Sequence, residues 1–225
     1  MQQLYYGRHR LTFRAGTYLA LVRMMGIAHL VLPLYGHAQL ASQTHARLVR
    51  TRQTIWELIV HGIDSEPGRA AIHRLRTVHA SLDARPEDYR YVLGAFFLEP
   101  LRWNAAFGRE RLSPEETAQL LGFWLRVGEG MGLTGMPVTL DGWRREQAAY
   151  EAAYLRHTPE GARLARLCLR DVVKLTVPYA LRAPFRQLML TTMEPAVRET
   201  LALPRPHWLA GAVARVLLPR RHPAA

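Results

Sequence analysis

Apolar side chains recur at intervals of three and four residues along almost the whole chain, and no stretch alternates apolar with polar. A period near 3.6 buries one face of a helix, whereas a half-buried strand needs a period of two, so the chain is expected to be all-α. Helix punctuation divides it further. A first helix is expected over Thr17–Leu32, closed by Pro33 and Gly36, and a second over Ala38–Val60, stopping near Gly62. In the turn 64–68, Ser65 can cap a third helix and Pro67 fits its first turn. That helix carries Ala71, Ile72, Leu75, Val78, His79 and Leu82 on one face. Arg85-Pro86-Glu87-Asp88 opens a fourth, which must bend or break before Pro100. Ser113-Pro114-Glu115-Glu116 is a capping box with proline at the first helical position. Later starts are expected at Asp141, Glu160, Arg182 and His207, the last three helices running to Leu175, Leu201 and Leu218. The sum is roughly eight helices in a single domain spanning residues 1–225, with no repeat and no dividing linker.

At 225 residues the chain can bury a substantial core. Its formal charge is +12, carried almost wholly by arginine, since Lys174 is the only lysine. Such a balance suits anionic lipid, acidic substrates or nucleic acid; the arginines are spread over many helices with no recognition module, so nucleic acid is not expected as a partner. Cys168 is the only cysteine, which excludes an intramolecular disulfide and a multi-cysteine metal site and suits a reducing, cytoplasmic compartment. The apolar run Thr17–Gly36 is interrupted by Arg23, His29 and Pro33, short of the ~20 clean residues that a membrane span needs. No cleavage site follows the basic N-terminus, so no secretory signal is read there. The tail HWLAGAVARVLLPRRH pairs apolar residues with arginines. It reads as an interfacial helix making peripheral membrane contact or as a helix docked on the core.

His79 is the first candidate for chemistry. It lies four residues after Leu75 and so projects from the apolar stripe, whereas His73 is about 120° away around the helix. An imidazole there is either a metal ligand or a core histidine satisfied by a carbonyl or carboxylate. Arg50, Thr54, Glu57 and His61 share one helical face by their spacing, and read equally as a pocket lining or a solvated stripe. Glu99 and Arg102 form an opposite-charge pair among Phe96, Phe97, Leu101 and Trp103, which reads as a structural ion pair. There is no G-x-S-x-G elbow, P-loop, dinucleotide fingerprint or H-E-x-x-H helix.

The order of segments is more specific than any one of them. Arg50 and Thr54 one turn apart are followed by AAIHRLRTVHASL, DYRYVLGAFFLEPLRWNAAFGRERLSPEE, FWLRVGEGMGLTGMP, Trp143 to Tyr150-Glu151, and LALPRPHWL. This series, over about residues 15–218, resembles the mpaB/rubber (latex-clearing) oxygenase family, nearest its mpaB-like branch. The resemblance implies a globin-related helical core holding haem b without covalent attachment, since no C-x-x-C-H is present. It implies His79 as the iron's axial ligand, Arg50 and Thr54 as catalytic donors on the distal side, and Phe96, Phe97, Phe123 and Trp124 as walls of the cofactor pocket. The implied activity is oxidation of a hydrophobic small-molecule substrate with O2, with C=C cleavage and isoprenoids in view. Rubber oxygenases carry a lysine just before the threonine, where this chain has Gln53. It also lacks the clear N-terminal anchor expected of the fungal enzyme. These departures keep a second reading open, a haem- or hydrophobic-ligand-binding protein without catalysis.

Overall fold

The computed structural model describes residues 1–31, 39–80 and 84–218. It is helical throughout: α1 (Gln2–Tyr6), α2 (Arg10–Arg23), α3 (Gln39–His61), α4 (Glu66–Ala80), α5 (Pro86–Phe107), α6 (Pro114–Gly130), α7 (Leu140–Tyr154), α8 (Pro159–Thr176), α9 (Arg182–Thr192), α10 (Pro195–Thr200) and α11 (Trp208–Leu217), with 3-10 turns at Met24–Gly26 and Tyr179–Leu181. Among the described residues there is no strand, only an isolated bridge between Ile27 and Leu155.

Local chemistry accounts for most of the boundaries. Ser65 Oγ accepts from the Gly68 amide at 3.0 Å. Asp88 accepts from the Arg85 amide at 2.8 Å, with Pro86 opening α5. At α6 the bonds are reciprocal: Glu116 N donates to Ser113 Oγ (3.1 Å) and Ser113 N to the Glu116 carboxylate (2.8 Å). Helix α7 starts at Leu140 because Thr139, not Asp141, caps it, through a 3.1 Å bond from the Gly142 amide.

Three expectations fail, each for a tertiary or backbone reason. The helix expected from Thr17 begins at Arg10 and is interrupted at residues 24–27, while Leu32, Pro33 and Gly36 lie outside the described residues, as do Ala38 and Leu82. The interruption lets the chain meet the end of α7: the Arg156 amide donates to the Gly26 carbonyl at 2.9 Å, and a Cβ on Gly26 would lie 2.5 Å from Leu155 Cδ1. Helix α5 does not break at Pro100 but continues to Phe107. Proline removes one helical hydrogen bond and crowds the preceding turn, yet Gly16 of α2 packs directly on it, where a Cβ would stand 2.4 Å from Pro100 Cα. The α2–α5 pairing is the most extensive between elements, and it holds the helix across the proline. The expected helix from Arg182 to Leu201 is instead two, since Pro195 forces the residues before it out of helical geometry; Met193 and Glu194 are extended.

Side chains from α1 to the residue after α11 contribute to one hydrophobic cluster. Phe13, Phe97, Leu120, Trp143 and Leu190 are fully enclosed in it. Trp124 Nε1 donates to the Tyr5 hydroxyl at 3.0 Å, tying α1 to α6.

Candidate functional site

Helices α3 and α4 form an antiparallel hairpin pinned by an ion pair between Arg74 and Glu57. With those two residues opposite, Thr54 and Arg50 fall at the level of the last turn of α4, which carries His79. The three residues singled out for chemistry thus share one end of the hairpin. His79 is half-buried and His73 exposed, as periodicity requires; Val78, expected on the apolar face, is 57 % exposed. The His79 ring lies 4.9 Å from that of Tyr89, whose hydroxyl donates to the His79 carbonyl at 2.7 Å. Its Nδ1 is enclosed.

Arg50 is exposed, and Thr54 is half-buried with its hydroxyl donating to the Arg50 carbonyl at 3.1 Å. Gln53 donates to Glu57 at 3.1 Å. His61 lies outside this group, its ring edge-on to Trp56 at 5.3 Å. The four-residue stripe on α3 is therefore part ion pair and part solvated surface.

The aromatic residues expected to wall a pocket pack chiefly against the core. Phe96 stacks on Trp124 at 5.7 Å, Phe97 meets Trp143 edge-on at 5.2 Å, and Phe123 meets Trp124 edge-on at 5.5 Å. Phe123 also borders a cleft of about 510 Å³ with Leu58, His61, Ile63, Asp64 and Arg126. That cleft is at the α3–α4 turn, about 20 Å along α4 from His79 at 1.5 Å per residue.

Two polar groups, each wider than sequence reasoning anticipated, lie beside α5. Asp88, only 2 % exposed, accepts from Tyr150 at 2.5 Å and from the Arg85 guanidinium at 2.9 Å, and its Oδ1 lies 2.7 Å from His29 Nε2. Arg85 Nη2 is also 2.9 Å from His29 Nε2. A guanidinium only donates and a carboxylate only accepts, so Nε2 cannot serve both. The shorter contact and the burial of Asp88 make Nε2 a donor to Asp88. Burial alone would raise the Asp88 pKa, but hydrogen bonds from Arg85, Tyr150 and His29 outweigh it and hold the carboxyl far below the usual range. The Tyr150 hydroxyl is pushed up by burial and by the neighbouring carboxylate. Arg85 also donates to Tyr154 at 2.9 Å and lies 4.6 Å from its ring centroid.

The second group is centred on Arg23, 7 % exposed. It binds Glu151 bidentately at 2.6 Å, Glu194 at 2.7 Å and Glu99 at 3.3 Å. Glu99 also accepts from Arg102, at 2.5 and 2.9 Å, the ion pair expected from sequence. Tyr91 donates to Glu151 at 2.9 Å, and its ring stacks on Tyr150 at 4.4 Å, joining the two polar groups. A lone arginine inside an apolar run was the available signal for the second group, because a buried charge demands partners.

Among the described residues no cluster of three or more His, Cys, Asp or Glu is placed to hold a metal ion directly. A prosthetic group asking for one protein ligand is a different matter, and His79 can supply that ligand. A family model described as "ER-bound oxygenase mpaB/B'/Rubber oxygenase, catalytic domain" matches residues 6–220. No curated protein matches the chain.

Proposed function

Because the chain belongs to the mpaB/rubber-oxygenase catalytic-domain family over nearly its whole length, we propose that it is a haem-b-dependent oxygenase acting with O2 on a hydrophobic substrate, an isoprenoid or another alkene. The observation that carries the cofactor assignment is the α3–α4 register, which sets half-buried His79 at the level of Arg50 and Thr54. The residues present fit the group: one imidazole on a helix braced by Tyr89 is what a haem iron takes from its protein. The hydrophobic cluster, which runs from Leu4 in α1 to Leu218 after α11, supports reading the chain as one domain.

When bound, haem supplies the binding and activation of O2. His79 would hold it, and Tyr89 fixes the position of the histidine backbone and ring. Arg50 offers fixed donors to an oxygen atom or a carboxylate. Thr54 donates to the Arg50 carbonyl at 3.1 Å and must exchange that bond to donate outward. Gln53 is tethered to Glu57 and brings no charge where rubber oxygenases place a lysine, which favours chemistry other than rubber cleavage.

The test is spectroscopic first. The purified chain reconstituted with haem is expected to show a Soret band that His79→Ala abolishes or shifts; a band identical in the variant overturns the ligand assignment. Oxygen uptake with polyprenyl substrates is then expected to fall roughly 100- to 1000-fold in Arg50→Ala and Thr54→Ala with the Soret band retained, the range for loss of a positioned donor. The tethered Gln53 motivates a second reading, a non-catalytic carrier or sensor of haem or a hydrophobic ligand. A normal Soret band with no oxygen uptake on any alkene tested would establish it in place of the first.

A further inference from the structure

Of the large hydrophobic side chains that stand exposed, five fall between residues 179 and 213: Tyr179 (83 %), Leu181 (53 %), Trp208 (73 %), Leu209 (49 %) and Val213 (51 %). Tyr179 and Leu181 form the 3-10 turn that leads into α9, and α11 packs along α9. Helix α11 carries apolar residues on its buried side and on its exposed side. Ala214 and the following Leu218 are buried, while Trp208, Leu209 and Val213 lie within about 140° of arc facing out. A helix docked on a protein core normally turns polar residues to water, so this outer face lacks the cover its composition calls for.

Helix α8, which leads into that turn, is strongly cationic on its exposed side. The helix is sharply two-sided: Ala165, Cys168, Leu169, Val172 and Val173 are buried, and Arg163, Arg166, Arg170 and Lys174 are exposed at positions i, i+3, i+7 and i+11. The same stretch runs on to Arg182, whose guanidinium lies 5.4 Å from the Tyr179 ring centroid, and to exposed Arg186. Across residues 163–186 the one acid is Asp171, buried and paired with Arg170 at 2.9 Å. Among the described residues no helix is long and apolar enough to cross a membrane.

We propose that the face made by α8, the Tyr179–Leu181 turn and α11 is a docking surface for an anionic bilayer. Tryptophan and tyrosine rings prefer the headgroup boundary, aliphatic side chains beside them enter the acyl region, and arginines at the same level meet lipid phosphates. The charge complements the bilayer surface and the apolar residues supply insertion. Nucleic acid would use the cations but leaves the exposed Trp208, Leu209 and Leu181 unexplained.

The full chain is mixed with sedimenting vesicles of phosphatidylcholine alone or containing one-third phosphatidylserine. Partitioning is expected to be at least tenfold stronger onto the anionic vesicles and to fall with added salt. Each cation removed from the contact is expected to weaken it roughly fivefold, so Arg166→Gln with Lys174→Gln should lose over tenfold. Trp208→Ser with Leu209→Ser should lose a similar factor at fixed charge. All four positions are exposed, and an unchanged circular dichroism melt establishes that the variants fold. No binding to anionic vesicles overturns the proposal, as does binding that ignores these substitutions. A salt-dependent shift of duplex DNA that displaces the protein from vesicles would overturn it in favour of nucleic acid. The measurement needs neither cofactor nor substrate, so its failure is distinct from failure of the oxygenase reading.

Discussion

Arg23 stands at the centre of a buried charge cluster. Its guanidinium neutralises carboxylates that arrive from 76, 128 and 171 residues away in the chain. Removing it leaves Glu151 in the interior with only the neutral donors Tyr91 and Gln147, and Glu99 with Arg102 alone; loss of one partner from a buried charge cluster costs about 3–5 kcal/mol. Arg23→Ala is therefore expected to lower unfolding free energy by about that amount in urea titration; a loss below about 1 kcal/mol would refute the account. Sequence alone marked Arg23 only as an interruption in an apolar run, because its partners are distant along the chain and nothing local names them. Glu99 and Arg102 were legible because three residues along a helix fixes their proximity. His79 and His73 were separable for the same reason: helical phase sorts neighbours on one element.

Among elements, the α2–α5 crossing depends on Gly16. A methyl there would sit 2.4 to 2.7 Å from Pro100 atoms, most of them backbone that cannot step aside. Gly16→Ala is expected to destabilise by about 2–3 kcal/mol, the cost of overpacking, even though alanine is the better helix former. Thermal melting of the variant decides it: a rise in melting temperature would mean that propensity, not packing, governs the site. The same crossing explains why α5 survives Pro100 against local expectation. Capping signals such as Ser113 and Glu116 were readable because their hydrogen bonds close within three residues. The break at residues 24–27 was not, since it answers to Leu155 and Arg156 far along the chain.

For the molecule as a whole, carboxylates set the response to acid. Asp88 and Glu151 both have folded-state pKa values held below the ordinary range: burial opposes this, but hydrogen bonds and guanidinium charge prevail. The unfolded chain therefore takes up protons first as pH falls. The stabilisation is complete above the unfolded carboxylate values, about pH 4, and drains away below them. A chain already at +12 also repels itself more as carboxylates neutralise. Melting temperature is expected to hold from pH 7 to about 5 and then drop steeply below about pH 4. Asp88→Asn should melt lower at pH 7, with the gap to the wild type narrowing as pH falls below about 4; parallel curves would assign Asp88 no part in the acid response.

By itself the sequence determined the all-α class, most helix starts and the face on which His79 lies, because these follow from periodicity and from hydrogen bonds that close within one turn. It also carried the family, through the order of its segments. Only the tertiary structure decided that α5 passes through Pro100, that Arg23 and His29 join carboxylates from other helices, and that α3 pairs with α4 in the register bringing Arg50 and Thr54 level with His79. It likewise decided which face of α11 stays uncovered. Those outcomes depend on contacts between residues far apart in sequence, whose closeness is a property of packing and has no local signature.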